Sequence, residues 1–391
     1  MPLRALFRIP GVAGPFAAAF LGRLPTTALG LLLILHVEGL TGRFSIAGLA
    51  AGGYALGLAV SSPLLGRLID RRGQAAVLPV CATLAATAIA VVAALPAGAP
   101  SGLVAALAVP VGMAMPPLGS TLRALWMELP DADARHAAFA LDSAAIEAAY
   151  VLGPVAIAGG LGAWSTRAAL AFCAAAVAVG TALYVAQPRV RAWRSHGRGG
   201  GLAGPLAAPA VRVLIAVLAL LGAAFGAVEV GVAAAAEAHG HRGWAGPLLG
   251  VWGLGSMVGA LIVARRPAPA DPARALVGRV ALLAGVHAAL AATTDPLVLG
   301  PLLLVAGLTV APALNAALVM LGQAAPPGTV TEAFTWSTCA ITGGIAAGSS
   351  LAGALAEESA HAPFLAVAAL GLLAAAVGAL RRPALAAVHA S

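Results

Sequence analysis

The sequence predicts an all-α membrane protein with twelve transmembrane helices arranged as two six-helix halves. Three observations support this fold class. Of the 391 residues, 61% are hydrophobic and only 9% are charged, whereas a soluble domain carries about 25% charged residues and needs them to cover a water-facing surface. Apolar runs of about 20 residues, the length that crosses a bilayer, follow one another along the chain. Charged residues are concentrated in the short segments between those runs.

Gly, Pro or charged residues bound each apolar run. The first run, 11–36, follows two arginines as in a signal peptide, but it exceeds the about 7–15 residues of a signal-peptide core and is predicted to be an uncleaved helix. The longest polar interruption leaves six runs on either side, which predicts an N-terminal half (1–186), a cytoplasmic linker (187–209) and a C-terminal half (210–391). The predicted helices are residues 11–36, 45–66, 75–95, 101–126, 137–160, 166–186, 211–236, 245–265, 275–293, 296–320, 331–355 and 362–381.

The positive charge predicts the orientation in the membrane. All 22 basic residues are Arg, and 18 of them lie at the termini or in the even-numbered connections. Three lie on the opposite side, namely Arg43, Arg167 and Arg242, and one lies inside the first helix. Because cytoplasmic loops are enriched in basic residues, both termini are predicted to be cytoplasmic in a bacterial inner membrane. The net charge of +8 is dispersed over these loops, so nucleic acid is not an expected partner.

A charged segment between the second and third apolar runs carries the most specific motif. Residues 62–74 read as a short charged turn with Gly66, Asp70, Arg71 and Gly73 at the spacing G-x-x-x-D-R-x-G. Gly66 permits close helix contact, and Gly73 permits a tight reversal. Asp70 is suited to the positive end of a helix dipole. This segment resembles the signature loop of the major facilitator superfamily of secondary transporters.

Two pairs of segments repeat weakly between the halves. Gly66–Arg72 resembles Gly259–Arg265, although Val263 replaces the aspartate, and Phe139–Gly153 resembles Phe334–Gly348. The resemblance to the superfamily implies two similar halves that alternate in access, with the substrate site between them near the middle of the membrane. It also implies that the first, fourth, seventh and tenth helices line the central cavity.

Polar side chains inside the predicted helices are candidates for the substrate and proton pathway. A charge at the bilayer centre costs at least about 2.5–3.5 kcal/mol, so it normally has a partner or faces water. Arg23 can neutralise a carboxylate or hold an anionic substrate group. Glu147 and Glu229 can carry a coupled proton, and the alternative is a static ion pair of Arg23 with either acid. Asp142 is a further candidate, or it caps or snorkels near its helix end, and Asn315 can line a pocket.

The fifth predicted helix contains Gly153-Pro154, which partly matches the Gly-Pro motif of proton-coupled drug exporters. In the alternative interpretation these residues only kink the helix and allow close packing. Those exporters also carry a basic residue inside the fourth helix. Here the fourth helix has only Arg123, at its cytoplasmic end, so their proton-handling residues are not transferable to this chain.

A cytoplasmic latch is predicted from the charges at the helix ends. Asp70 is expected at the N-terminus of the eleventh helix, with Arg71 or Arg72 against Glu128. The latch would close the cytoplasmic side of an outward-facing state. Arg123 ends the fourth helix on the same side, and Glu332 can repel Asp70 or bind Arg123. The alternative is a set of independent loop charges in water.

No nucleotide-binding loop, catalytic triad or metal-ligand constellation is evident in the sequence, so neither an enzyme nor a cofactor is expected. The function predicted is proton-coupled export of small amphipathic or drug-like molecules. The alternative is a proton-coupled transporter or uniporter of a small polar or anionic metabolite. The expected partners are the substrate, protons and the bilayer, and the expected state is a monomer.

Overall fold

The computed structural model describes residues 6–96, 98–195, 203–240 and 244–386. Within these residues, eleven helices are long and apolar enough to cross a membrane. The fifth predicted span is the exception, because its first half carries several charged residues. The helices, numbered here by span, are α1 (Ala13–Thr41), α2 (Phe44–Arg72), α3 (Gln74–Ala94), α4 (Ser101–Ala114 and Leu118–Trp126), α5 (Ala132–Leu152), α6 (Thr166–Ala186), α7 (Pro209–Ala238), α8 (Ala245–Ala264), α9 (Pro272–Ala288), α10 (Pro296–Ala324), α11 (Val330–Ala356) and α12 (Ala362–Leu380).

Residues 66–72 are helical, which corrects the prediction of a charged turn at 62–74. Helix α2 continues through Arg72, and only Gly73 reverses the chain before α3. Gly73 has φ +85°, a conformation that favours glycine, and its N–H donates to the carbonyl of Ile69 at 2.7 Å. The arginines at the end of α2 complement the negative end of its dipole.

Two membrane spans are irregular, and proline explains both interruptions. Helix α4 is broken between Ala114 and Leu118, where Pro116 and Pro117 supply no backbone N–H. Helix α5 continues as a π-helical segment, Gly153–Leu161, which begins at the Gly153-Pro154 pair and leads into the short helix Gly162–Trp164. Because a proline removes one backbone hydrogen bond of the regular helix, a change of helical register at this point is physically expected.

The two sets of six helices pack in the same pairwise pattern. Helix α1 packs on α6 as α7 packs on α12, and α2 packs on α4 as α8 packs on α10. Helices α3 and α6 correspond in the same way to α9 and α12. In the predicted linker, Pro188–Ala192 is a short helix and Gly204–Ala207 is a 3₁₀ turn, while 196–202 lie outside the described residues.

The two halves meet mainly where α2 contacts α11 and where α5 contacts α8 and α10. Phe139 and Phe334, which the internal repeat relates to each other, contact across this boundary with ring centroids 5.7 Å apart. Repeat-related residues that touch in this way lie close to the axis that relates the two halves. The hydrogen bonds from the start of α11 to Asp70 and from Ala268 to Asp133 lie at the end of the bundle that carries the α2–α3, α4–α5, α8–α9 and α10–α11 connections, termed the arginine-rich end below.

Glycine allows the backbones of α7 and α11 to touch, and this close approach generates a prediction. A Cβ at Gly348 would overlap the carbonyl of Ala223, whereas a Cβ at Gly343 of the same helix would meet nothing within 4 Å. We expect Gly348→Leu to lower the thermal unfolding midpoint of the purified protein, since overpacking costs about 1–3 kcal/mol. Gly343→Leu is the matched control, and equal midpoints for the two variants would contradict the close-packing account.

Candidate functional site

Three charged side chains form a buried cluster within the first half. Arg23 Nη1 of α1 contacts Asp142 Oδ1 of α5 at 2.5 Å, and Arg123 Nε of α4 donates to Asp142 Oδ2 at 2.9 Å. The side chain of Asp142 is 1% exposed. Arg23 therefore pairs with Asp142, not with Glu147 or Glu229 as considered from the sequence. Arg123 is buried beside it and does not lie in water at the end of the helix.

This Arg23–Asp142–Arg123 cluster lies deep in the bundle. Arg23 and Asp142 are each ten residues from the first residue of their helices, which corresponds to about 15 Å along the axis. Asp142 is thus too deep to act as a helix cap. The cluster holds two positive charges against one negative charge, and the buried Nε and Nη2 of Arg23 have no hydrogen-bond partner. The cluster is consequently electropositive on the side of Arg23.

Glu147 and Glu229 lie apart from this cluster, and neither forms an ion pair among the described residues. Ser256 of α8 donates its hydroxyl to Glu147 Oε1 at 2.8 Å, so this carboxylate of α5 contacts the other half. Glu229 of α7 is exposed. Tyr150 of α5, 61% exposed, lies near both acids. The region between the halves around Glu147, Tyr150, Glu229 and Ser256 is termed the central cleft.

The structure adds Tyr150 and His287 to this region, neither of which the sequence singled out, beside Trp252, which the sequence suggested as a pocket residue. Trp252 of α8 donates its indole N–H to His287 Nε2 of α9 at 3.2 Å and packs edge-on against Phe225 of α7. In the sequence, His287 could have been noticed because it is a histidine within an apolar run. Tyr150 lies one helical turn after Glu147, and that spacing could have indicated a shared face.

Asn315 does not line the central cleft. Its side chain is buried, and Nδ2 donates to the backbone carbonyl of His136 at 3.2 Å, which joins α10 to α5 between the halves. Nearby, the backbone N–H of Ala268 donates to Asp133 Oδ1 at 2.7 Å, again from one half to the other. Asn315 thus contributes to the closed arginine-rich end.

The signature segment contacts the N-terminus of α11. Asp70 Oδ1 and Oδ2 accept the backbone N–H groups of Thr331 at 3.1 Å and Glu332 at 2.8 Å. An anionic side chain is favourable there, because these N–H groups have no partner within the helix and the dipole is positive. Gly66 allows the contact, since a Cβ there would overlap atoms of Glu332 and Thr335.

A second link beside Asp70 differs from the expected one. Arg67 donates from Nε to Glu332 Oε2 at 3.0 Å and from Nη2 to Oε1 at 2.8 Å. Glu332 therefore binds Arg67 and not Arg123, and its charge also repels that of Asp70. Arg71 and Arg72 are exposed. The backbone carbonyl of Glu128 accepts a hydrogen bond from Arg189 Nη2 at 3.4 Å.

The Gly-Pro pair marks a close contact between α5 and α1. The hydroxyl of Thr27 lies 2.8 Å from the carbonyl of Leu24 in α1 and 2.9 Å from that of Ala149 near the end of regular α5, so it can donate across the contact to α5. A Cβ at Gly153 would overlap the Thr27 side chain. Gly348 makes the corresponding contact in the second half, on Ala223 of α7. Close packing therefore accounts for Gly153 without a specific exporter role.

The buried cluster generates a prediction for stability. Asp142→Asn removes the carboxylate that neutralises Arg23 and Arg123, and breaking a buried pair from one side costs about 3–5 kcal/mol. We expect a lower thermal unfolding midpoint and a lower yield of monodisperse protein. Glu358→Gln is the matched control, because Glu358 is exposed in the α11–α12 connection. An Asp142→Asn protein as stable as this control would contradict the assignment.

Comparisons with known proteins agree with this architecture. None of the curated proteins compared with the chain matches it. Among solved structures, the human organic anion transporter MFSD10 (TETRAN) is 19% identical over 97% of this chain and 100% of its own, with a TM-score of 0.68. A bacterial homologue of the iron transporter ferroportin, in an outward-facing state with soaked iron, is 17% identical over 95% and 99%, with a TM-score of 0.73. The E. coli fucose:proton symporter FucP is 13% identical over 95% and 99%, with a TM-score of 0.70.

At these identities the structural likeness concerns the fold. The family itself is shown by the sequence profile of the Major Facilitator Superfamily, which matches residues 15–311, more than half of the chain. The signature segment Gly66–Gly73 lies within the matched region. The chain therefore belongs to the major facilitator superfamily.

Proposed function

We propose that this secondary transporter exports small amphipathic or drug-like molecules from the bacterial cytoplasm in exchange for protons. It does so by alternating access, as a monomer in the inner membrane with both termini in the cytoplasm. The proposed boundaries of its halves are those predicted from the sequence, 1–186 and 210–391, joined by 187–209. The observation that carries the proposal is the contrast between a neutralised carboxylate, Asp142, and two that have no arginine partner.

The proton carriers in this proposal are Glu147 and Glu229. Asp142 is held between Arg23 and Arg123, which stabilise its charged form. Glu147 and Glu229 lie in the membrane without such stabilisation. A carboxylate in that situation gains more from binding a proton, because protonation removes the cost of keeping an isolated charge away from water.

Protonation of Glu147 acts directly on the boundary between the halves. Its hydrogen bond to Ser256 joins α5 to α8 and is charge-assisted when Glu147 is ionised. Loss of that charge weakens the bond, since charge-assisted hydrogen bonds are roughly twice as strong as neutral ones. Proton binding therefore changes the relative stability of two arrangements of the halves, as coupled transport requires.

The conformation described corresponds in this proposal to an outward-facing state. With the arginine-rich end in the cytoplasm, the Asp70–α11 contact and the Arg67–Glu332 pair close the cytoplasmic side. The 3₁₀ turn of the linker adds to this closure, because Gly204 packs against both members of that pair. The similar ferroportin homologue has also been solved in an outward-facing state.

Aromatic side chains support an amphipathic substrate, and Arg23 supports a second candidate. Tyr150 and Trp252 offer apolar surface to a substrate, and the buried ring of Phe225 packs behind Trp252. An uncompensated carboxylate beside aromatic rings suits a lipophilic cation.

The unpartnered Nε and Nη2 of Arg23 instead favour a small anionic metabolite, and one structurally similar protein is an organic anion transporter.

The latch generates a prediction that uses a native cysteine. Cys339 of α11 donates its thiol to the carbonyl of Ala59 in α2 at 3.2 Å, so opening of the α2–α11 contact exposes it. We expect Asp70→Ala to speed maleimide labelling of Cys339 by about tenfold, because it removes two hydrogen bonds to a charged group. Labelling is followed by mass spectrometry in a Cys81→Ala/Cys173→Ala background. Arg72→Gln is the control, and equal rates for both variants would exclude a latch at Asp70.

A second prediction concerns proton coupling. Purified protein in weakly buffered detergent solution is mixed with tetraphenylphosphonium, a lipophilic cation, while a pH indicator reports proton release. We expect release from the wild type and from Glu358→Gln, and loss of release in Glu147→Gln or Glu229→Gln, because the amide binds no proton at that site.

The same experiment separates the two candidate functions. If tetraphenylphosphonium binds with no proton signal and both glutamine variants transport normally in liposomes, proton coupling through these acids is wrong. If benzoate binds in its place, and binds more weakly to Arg23→Lys, the anionic-metabolite function replaces the exporter. Lysine keeps the positive charge but lacks the forked geometry that holds a carboxylate.

A further inference from the structure

A cavity at the arginine-rich end, outside the central cleft, holds basic side chains that the transport mechanism does not use. Its volume is about 240 Å³, and it lies between α5 of the first half and α9, α10 and the α8–α9 connection of the second. Its polar lining consists of Arg135, His136, Arg279 and Gln323. The rest of the lining is Ala, Pro, Val and Met, and no carboxylate belongs to it among the described residues.

Several polar atoms of the residues that line this cavity have no hydrogen-bond partner. Arg135 donates from Nη1 to the carbonyl of Leu129 at 2.9 Å, but its buried Nε has no partner. His136 is 3% exposed, and its Nε2 has no partner either. Arg279 donates to the carbonyl of Pro312 at 3.3 Å, and the side-chain oxygen of Gln323 is unpartnered. Buried polar groups without partners are unusual, and a bound molecule is a common reason for them.

The nearest acids do not line the cavity, although the charge of Asp133 acts on His136 from outside it. Asp133 accepts the N–H of Ala268 at 2.7 Å. Asp271 caps α9 through the N–H of Arg274 and pairs with Arg382 at 2.8 Å. Two guanidinium groups therefore share a partly enclosed space that no acid lines, and an anion entering it would gain from both charges.

We propose that this cavity binds a phosphate group. Arg135, His136 and Arg279 line one cavity from two helices, α5 and α9, which suits a compact anion with several acceptor oxygens. Arginine is the side chain best suited to hold phosphate, through its forked N–H groups. The group can be free inorganic phosphate or the headgroup of an anionic lipid, because the arginine-rich end lies where lipid headgroups lie.

The position of the site couples its occupancy to conformation. Arg135 and His136 belong to the first half, whereas Arg279 and Gln323 belong to the second. Separation of the halves at this end divides the site between them. A phosphate group that binds the joined halves and not the separated ones stabilises the closed arginine-rich end by mass action. The site therefore regulates the transporter from a place that the transported substrate does not occupy.

The test measures binding with the full chain and does not require the transported substrate. The thermal midpoint of purified protein in detergent is followed while sodium phosphate replaces sodium chloride at constant ionic strength. We expect a saturable rise in the wild type and about tenfold weaker apparent affinity in Arg135→Gln and in Arg279→Gln, since each loses a charged hydrogen bond. Arg274→Gln is the matched control, because Arg274 is exposed on α9 and does not line the cavity.

A second arm distinguishes the source of the phosphate group. Native mass spectrometry counts phosphatidic acid retained by protein from nanodiscs of phosphatidylcholine with and without that lipid. A thermal shift with phosphate alone supports a free anion, and retained phosphatidic acid that both variants lose supports a lipid headgroup. If neither probe binds, or if Arg274→Gln loses binding as the cavity variants do, the proposed site is wrong. Neither result tests the proposed roles of Glu147 and Glu229, which the proton-release experiment tests separately.

Discussion

The cost of placing a charge in hydrocarbon is the constraint on which the rest of this structure depends. Only 9% of the residues are charged, and the charges inside the membrane differ in how they are compensated. Asp142 is neutralised by two arginines, and Asp70 is held by the N-terminus of α11. Glu147 and Glu229 receive neither form of compensation. In the proposed mechanism, that difference separates side chains that hold helices together from side chains that change protonation during transport.

Glycine and proline decide where the helices come close enough for these charge contacts. Gly66 brings the end of α2 against α11, and without it Asp70 could not reach the N–H groups of Thr331 and Glu332. Gly153 and Gly348 make comparable contacts within each half, on α1 and α7. The two halves therefore share the positions at which helices pack closely, but they do not share charged residues. Among the described residues, the charged cluster around Asp142 has no counterpart in the second half.

The boundary between the halves carries three distinct kinds of contact. At the arginine-rich end there are ionic and helix-end contacts around Asp70, together with a basic cavity beside them. Phe139 and Phe334 meet near the axis that relates the halves. Beside the central cleft, a hydrogen bond from Ser256 to Glu147 joins α5 to α8. In the two proposals, substrate and protons in the cleft and a phosphate group at the arginine-rich end act on this same boundary.

The sequence by itself determined the fold class, the twelve helices and the family, because apolar length and the signature Gly66-x-x-x-Asp70-Arg71-x-Gly73 are local properties. It also singled out Arg23, Asp142, Glu147 and Glu229, since any charge within an apolar run is conspicuous. Only the tertiary structure decided the pairing: Arg23 and Arg123 with Asp142, and Arg67 with Glu332. Pairing depends on helix rotation and on the depth of each side chain, and it joins residues from 19 to 265 positions apart. Contacts between different helices leave no periodic pattern in a single sequence.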